Sequence, residues 1–100
     1  MNIKTIEVSG HNGSWKKATG IFTLNENYFV NNGAVFTNKN NFHLYRRTNG
    51  KWIIARTEDM IIGRSKGCIA SIGAAATPIN LTWKTRRRCD DDQLKVKLFN

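Results

Sequence analysis

The stretch Phe42–Asp59, FHLYRRTNGKWIIARTED, decides how this chain is read. Two β-prone runs flank Asn49-Gly50, the dipeptide most strongly associated with a two-residue hairpin turn. A type I′ turn needs positive φ at both central residues, and asparagine and glycine tolerate it best. Folding the stretch there pairs Thr48 with Lys51, Arg47 with Trp52, Tyr45 with Ile54 and His43 with Arg56. One face then carries Phe42, Leu44, Ile53 and Ala55, with Arg46 towards the tip, and reads as core. The other carries His43, Tyr45, Arg47, Trp52, Ile54 and Arg56.

Similar patterns extend in both directions. Ile6 and Val8 alternate with Thr5, Glu7 and Ser9, the period of a half-buried strand. TGIFTL (19–24) is rich in β-formers and ends in polar NEN. YFVNNGAVF (28–36) suggests a second hairpin turning at Asn32-Gly33, with Val30 opposite Val35 and Phe29 opposite Phe36. MIIG and CIASI flank RSKG, a basic turn that Gly67 could close. GAAATP is too short, and too close to Pro78, to make a helix. Ile79, Leu81 and Trp83 alternate with polar residues, as do Leu94, Val96 and Leu98. KTRRRCDDD (84–92) reads as a solvated connection between them. No apolar pattern of helical period is sustained. The expected fold is all-β, a single domain over 1–100 forming a small antiparallel sandwich or barrel of about seven to eight short strands.

In their order, IEVSG, TGIFTL, NNGAVF, FHLYRR with GKWII, KGCIASIG and the Pro78…Trp83 pair resemble a short β-rich repeat module of unicellular-eukaryote multidomain proteins. The resemblance spans most of the chain through turns and core aromatics. It implies a compact structural or binding unit and transfers no catalytic residue. A basic chain standing alone departs from the tandem setting of such repeats.

Composition narrows the function classes. With 100 residues and 40% hydrophobic content, the chain can bury one modest core. No apolar run is long enough to span a bilayer as a helix. MNIKTIEVSG lacks the continuous apolar block of a signal peptide, so an intracellular, cytoplasmic protein is the expectation. Sixteen Lys and Arg against seven Asp and Glu give a net charge of +9, a field that attracts polyanions and acidic protein faces. Cys68 and Cys89 lack paired spacing and are expected as reduced thiols. With His11 and His43 they do not make a zinc pattern, so neither metal nor cofactor is expected.

Nothing in the sequence arranges titratable groups for catalysis. Glu58 and Asp59 are neighbours and would point to opposite faces of a strand. Asp90, Asp91 and Asp92 lie beside three arginines that hold them ionised. GHNGS (10–14) has neither a nucleophile elbow nor the Gly-Lys-Ser/Thr ending of a phosphate loop. The chain is read as a non-enzyme.

The mixed face of the hairpin admits two readings. In one, Tyr45, Trp52 and Ile54 are covered by another sheet while the arginines lie at its rim, Arg47 stacking on Trp52. In the other, Tyr45 and Trp52 stack bases or grip an acidic peptide, with Arg47, Arg56, Arg64 and Lys66 supplying charge and Lys16 and Lys17 extending the patch. The leading functional expectation is a non-catalytic interaction or structural module that binds another protein through this basic, aromatic β-surface. Nucleic-acid binding by the same face is the alternative; membrane attachment is not expected, since there is no amphipathic helix or lipidation motif.

Overall fold

The computed structural model describes residues 4–9, 18–31, 33–57, 60, 69–79, 81, 83–85, 90–91 and 95–98. The fold is all-β: β1 (Thr5–Ser9), β2 (Gly20–Val30), β3 (Gly33–Thr37), β4 (Phe42–Arg46), β5 (Lys51–Arg56), β6 (Ile69–Ala74), β7 (Trp83–Thr85), β8 (Asp90–Asp91) and β9 (Lys95–Leu98). Among the described residues, non-strand helical backbone is confined to Ala18, Thr57 and Met60, and no helix is long and apolar enough to cross a membrane. Trp83–Thr85 is shorter than the strand expected from Ile79. Ile79 and Leu81 pack on the core from outside any strand. Asp90–Asp91 forms a strand where a solvated connection was expected, because it pairs with Trp83 and Lys84.

Among the described residues, the nine strands join in one antiparallel sheet, ordered β8-β7-β6-β5-β4-β3-β2-β1-β9. The two ends of that order are close in the chain. From Asp91 to Lys95 the backbone can reach at most about 14 Å, whereas a flat sheet would set its edge strands about 38 Å apart. The sheet therefore curls into an open barrel, within overall extents of 30 × 29 × 25 Å. Its inner face gathers Ile6, Val8, Phe22, Phe36, Leu44, Trp52, Ile54, Ile69, Trp83 and Val96 into one buried cluster, with β7 and β9 contributing from opposite ends. The outer face holds a second, smaller cluster: Val35, Tyr45, Ile53, Ala55 and Met60.

The β4–β5 hairpin is built one residue out of the expected register. Tyr45 lies opposite Ile53 and Arg46 opposite Trp52. Asn49 keeps negative φ and only Gly50 is left-handed, at φ 85°. The N–H of Gly50 donates to the Arg47 carbonyl at 3.0 Å, and that of Arg47 donates to the Lys51 carbonyl at 2.7 Å. This is a three-residue loop, a turn followed by a left-handed bulge residue, and not type I′. The β3–β4 loop repeats it: Asn41 donates to Asn38, Asn38 donates to Phe42, and Asn41 takes the left-handed position at φ 62°. Asn38 further caps the N–H groups of Asn40 and Phe42 through Oδ1.

The β2–β3 hairpin also differs from expectation. Val30 faces Gly33 and Phe29 faces Ala34, with Asn31 left-handed at φ 51°, so each of these β2 residues meets a partner two residues earlier than expected. This two-residue shift leaves each side chain on its expected face. The NEN segment does not end the strand: β2 runs through it, and its register against β3 shifts between Leu24 and Phe29.

Candidate binding cleft

The register of the β4–β5 hairpin redistributes the residues expected to form its binding face. Cross-strand partners share a face, so Trp52, Ile54 and Arg56 join Phe42, Leu44 and Arg46 on the inner side. Tyr45 joins His43, Ile53 and Ala55 on the outer side, and Arg47 follows it. Tyr45 and Trp52 thus lie on opposite faces, and both are buried, at 0% and 2% exposure. The expected Arg47–Trp52 stack is replaced by Arg56 over Phe42, 5.9 Å from the ring centroid. Arg47 is half-buried, and its Nε is enclosed without a hydrogen-bond partner. Arg64 and Lys66, with Lys16, Lys17, His11, Ser14, the RSKG turn and both cysteines, lie outside the described residues.

An open cleft of about 530 Å³ lies on the inner side of the sheet, which is within the range of ligand-binding clefts. Leu24, Ala34, Phe36, Trp52, Ala76 and Pro78 give it an apolar lining, and Lys4, Thr23, Glu26 and Thr77 add polar groups. Three local devices position these residues. The N–H of Leu24 donates to the Lys4 carbonyl at 2.7 Å, carrying the start of β1 to the cleft. Trp52 is fixed by its indole N–H, which donates to the Ala75 carbonyl at 2.9 Å, while Ala75 N–H donates to Gly50 at 3.1 Å. That pair of bonds ties the 75–78 segment to the hairpin loop.

The third device is the register shift in β2, which brings Glu26 to the cleft. Asn25 holds the shift with both ends of its amide: Nδ2 donates to Thr37 Oγ1 at 3.1 Å, and Oδ1 accepts from Asn27 N–H at 3.1 Å. Such irregularities re-aim a side chain at the expense of ladder pairing. Lys4 and Glu26 are both exposed. Beside the cleft, Phe29 leaves 71% of its surface in water. It is the direct partner of the cleft residue Ala34, on the same face.

His43, the described histidine, belongs to the other side of the sheet. Its Nδ1 is 2.8 Å from Thr37 Oγ1 and its Nε2 is 2.7 Å from Thr57 Oγ1, with the Tyr28 ring edge-on at 6.2 Å. Burial lowers its pKa from the ordinary 6.5, which favours the neutral imidazole. It does not reach the cleft through any of these contacts. No group of three or more metal-ligating side chains exists among the described residues.

Sequence reasoning singled out Trp52 but not its neighbours in the cleft. Lys4, Glu26 and Thr77 are far apart in sequence: the β1–β2 pairing brings Lys4 beside β2, and the bonds of Ala75 bring the 75–78 segment to the hairpin loop. NEN was the one available signal, a polar triplet inside a β-rich run. Comparison with protein-family models, curated proteins and solved structures found no match.

Proposed function

We propose that this domain is a non-catalytic module that binds another protein, and that its partner covers the inner-face cleft together with Phe29. One observation supports the reading above the rest: a phenylalanine 71% exposed on the same sheet face as an open apolar cleft. Scattered apolar residues on a surface are ordinary, but a large exposed ring paired with a lining residue of an apolar cleft marks a contact surface. A small ligand held in the cleft would leave that ring in water, whereas a polypeptide laid across it would cover both.

Nucleic-acid binding is the second reading, supported by the net charge of +9. The stacking platform it called for is not formed by Tyr45 and Trp52, which are buried on opposite faces. A photo-crosslinking amino acid placed at Phe29 in native extract separates the two readings. Protein binding gives a polypeptide adduct that survives nuclease treatment. An adduct consisting of nucleic acid, or one abolished by nuclease, selects the second reading.

A further inference from the structure

We propose that the partner segment seated on the cleft is extended and acidic, with apolar side chains at alternating positions. This rests on reading the cleft as a protein-binding site and specifies what that site selects.

The spacing comes from the strands beneath it. Phe29 sits opposite Ala34, and Ala34 and Phe36 are successive residues on one face of β3. That separation is one pleat repeat, about 7 Å, which is also the distance between alternate side chains of any extended chain. A segment running along β3 therefore places one apolar side chain over Phe36 in the cleft and the next against Phe29.

The charge preference comes from the cleft's surroundings. Lys4 contributes an exposed ammonium to the lining. Arg46 faces Trp52 directly across the β4–β5 ladder. Its stem packs over Gly33, where an added Cβ would meet Arg46 Cβ at 3.1 Å, and its guanidinium reaches Gly50. Among the described residues, Lys4 in the lining and Arg46 across from the cleft residue Trp52 are thus set against the carboxylate of Glu26, in a chain of net charge +9. An acidic segment gains from this field, and a basic one is repelled. Glu26, brought in by the β2 irregularity, repels a carboxylate placed beside it.

The test is an NMR titration of the isotopically labelled domain with four probes. These are an acetylated heptapeptide of alternating Glu and Leu, its Lys–Leu counterpart, decanoate, and oligothymidylate. The expected result is that the Glu–Leu peptide shifts the amides of Leu24, Phe29, Ala34 and Thr77. The Lys–Leu peptide should bind about fivefold more weakly or not at all, and Lys4→Glu should weaken the Glu–Leu peptide by a similar factor. Phe29→Ser should weaken it too, with signal dispersion unchanged because the ring packs little in the free domain. Equal binding of both peptides, shifts elsewhere, or no shift overturns the proposal. Filling of the cleft by decanoate or oligothymidylate with neither peptide competing also overturns it, in favour of a small amphiphile or a nucleic acid. If the nuclease-resistant Phe29 crosslink persists while the peptide preference fails, only the acidic segment is wrong. Loss of that crosslink as well removes the protein-binding reading itself.

Discussion

Ser71 Oγ accepts a hydrogen bond from the backbone N–H of Trp52 at 2.8 Å and donates its own proton to the Gly73 carbonyl at 2.7 Å. The contact falls where the β5–β6 register shifts between Lys51 and Ile53, so a side chain replaces the ladder carbonyl for a buried amide. Ser71 is fully enclosed. Ser71→Ala leaves that N–H unpaired and should cost about 1–3 kcal/mol. A denaturant midpoint equal to that of the parent would count against this assignment.

Gly50 and Asn49 should respond unequally to substitution. At Gly50, with φ 85°, an added Cβ would approach Ala74 Cβ at 3.2 Å, so Gly50→Ala combines strain with crowding. A loss of about 1–3 kcal/mol is expected, and a larger one for Gly50→Val. Asn49→Ala removes only the acceptor for Lys51 N–H and should cost about 0.5–1.5 kcal/mol. Thermal melts of the variants decide the turn: comparable losses at both positions would indicate positive φ at both, as in type I′.

That asymmetry explains what could be read from the chain before its structure. Ile6 and Val8 declare β1 by alternation, and the turn residues separate β2 through β5, so the all-β class was legible. The hairpin register was not. Asn-Gly suits both the two-residue turn and the three-residue loop found here. The flanking alternation cannot choose between them, since apolar residues line both faces of β4 and β5. Contacts distant in sequence accompany the register that forms: Ala75 with Gly50, Trp52 with Ala75, and Arg46 packed over Gly33. One residue of slip exchanges the faces, and with them the surroundings of Tyr45 and Trp52. The cleft was illegible for a related reason, because its lining comes from β2, β3, β5 and the 76–78 segment, which are far apart in the sequence, and alternation gives no sign of the β2 irregularity that places Glu26.

His43 should make stability depend on pH. Burial lowers its folded-state pKa below the ordinary 6.5, so in the intervening window the unfolded chain binds more protons than the folded one. Stability from this group is complete above about pH 6.5 and is lost as pH falls towards the lowered folded value, below which the loss is constant. His43→Gln removes the titration. The stability difference between parent and variant should therefore shift against the parent on acidification through this window. Parallel stability–pH curves for the two proteins would show that His43 titrates alike folded and unfolded.

Trp52 carries the sharpest distinction between core and contact roles. It is 2% exposed, tied by its indole to Ala75, and packed with Leu44 and Ile54 in the inner cluster while forming part of the cleft lining. Trp52→Ala should cost about 3–5 kcal/mol of stability, the range for emptying a large buried aromatic site. Trp52→Phe keeps an apolar ring there and gives up the indole bond, so its loss should be smaller. If oligonucleotide binds this basic surface, the logarithm of its affinity should fall with that of salt, at a slope near −0.7 per phosphate contacted. Bases cannot stack on a ring enclosed in the core, so Trp52→Phe should leave both the affinity and that slope unchanged. Equilibrium unfolding and oligonucleotide titration, measured on the same variants, check both statements. A Trp52→Ala domain as stable as its parent, but unable to bind oligonucleotide, would put Trp52 at the surface and return the hairpin to its stacking role.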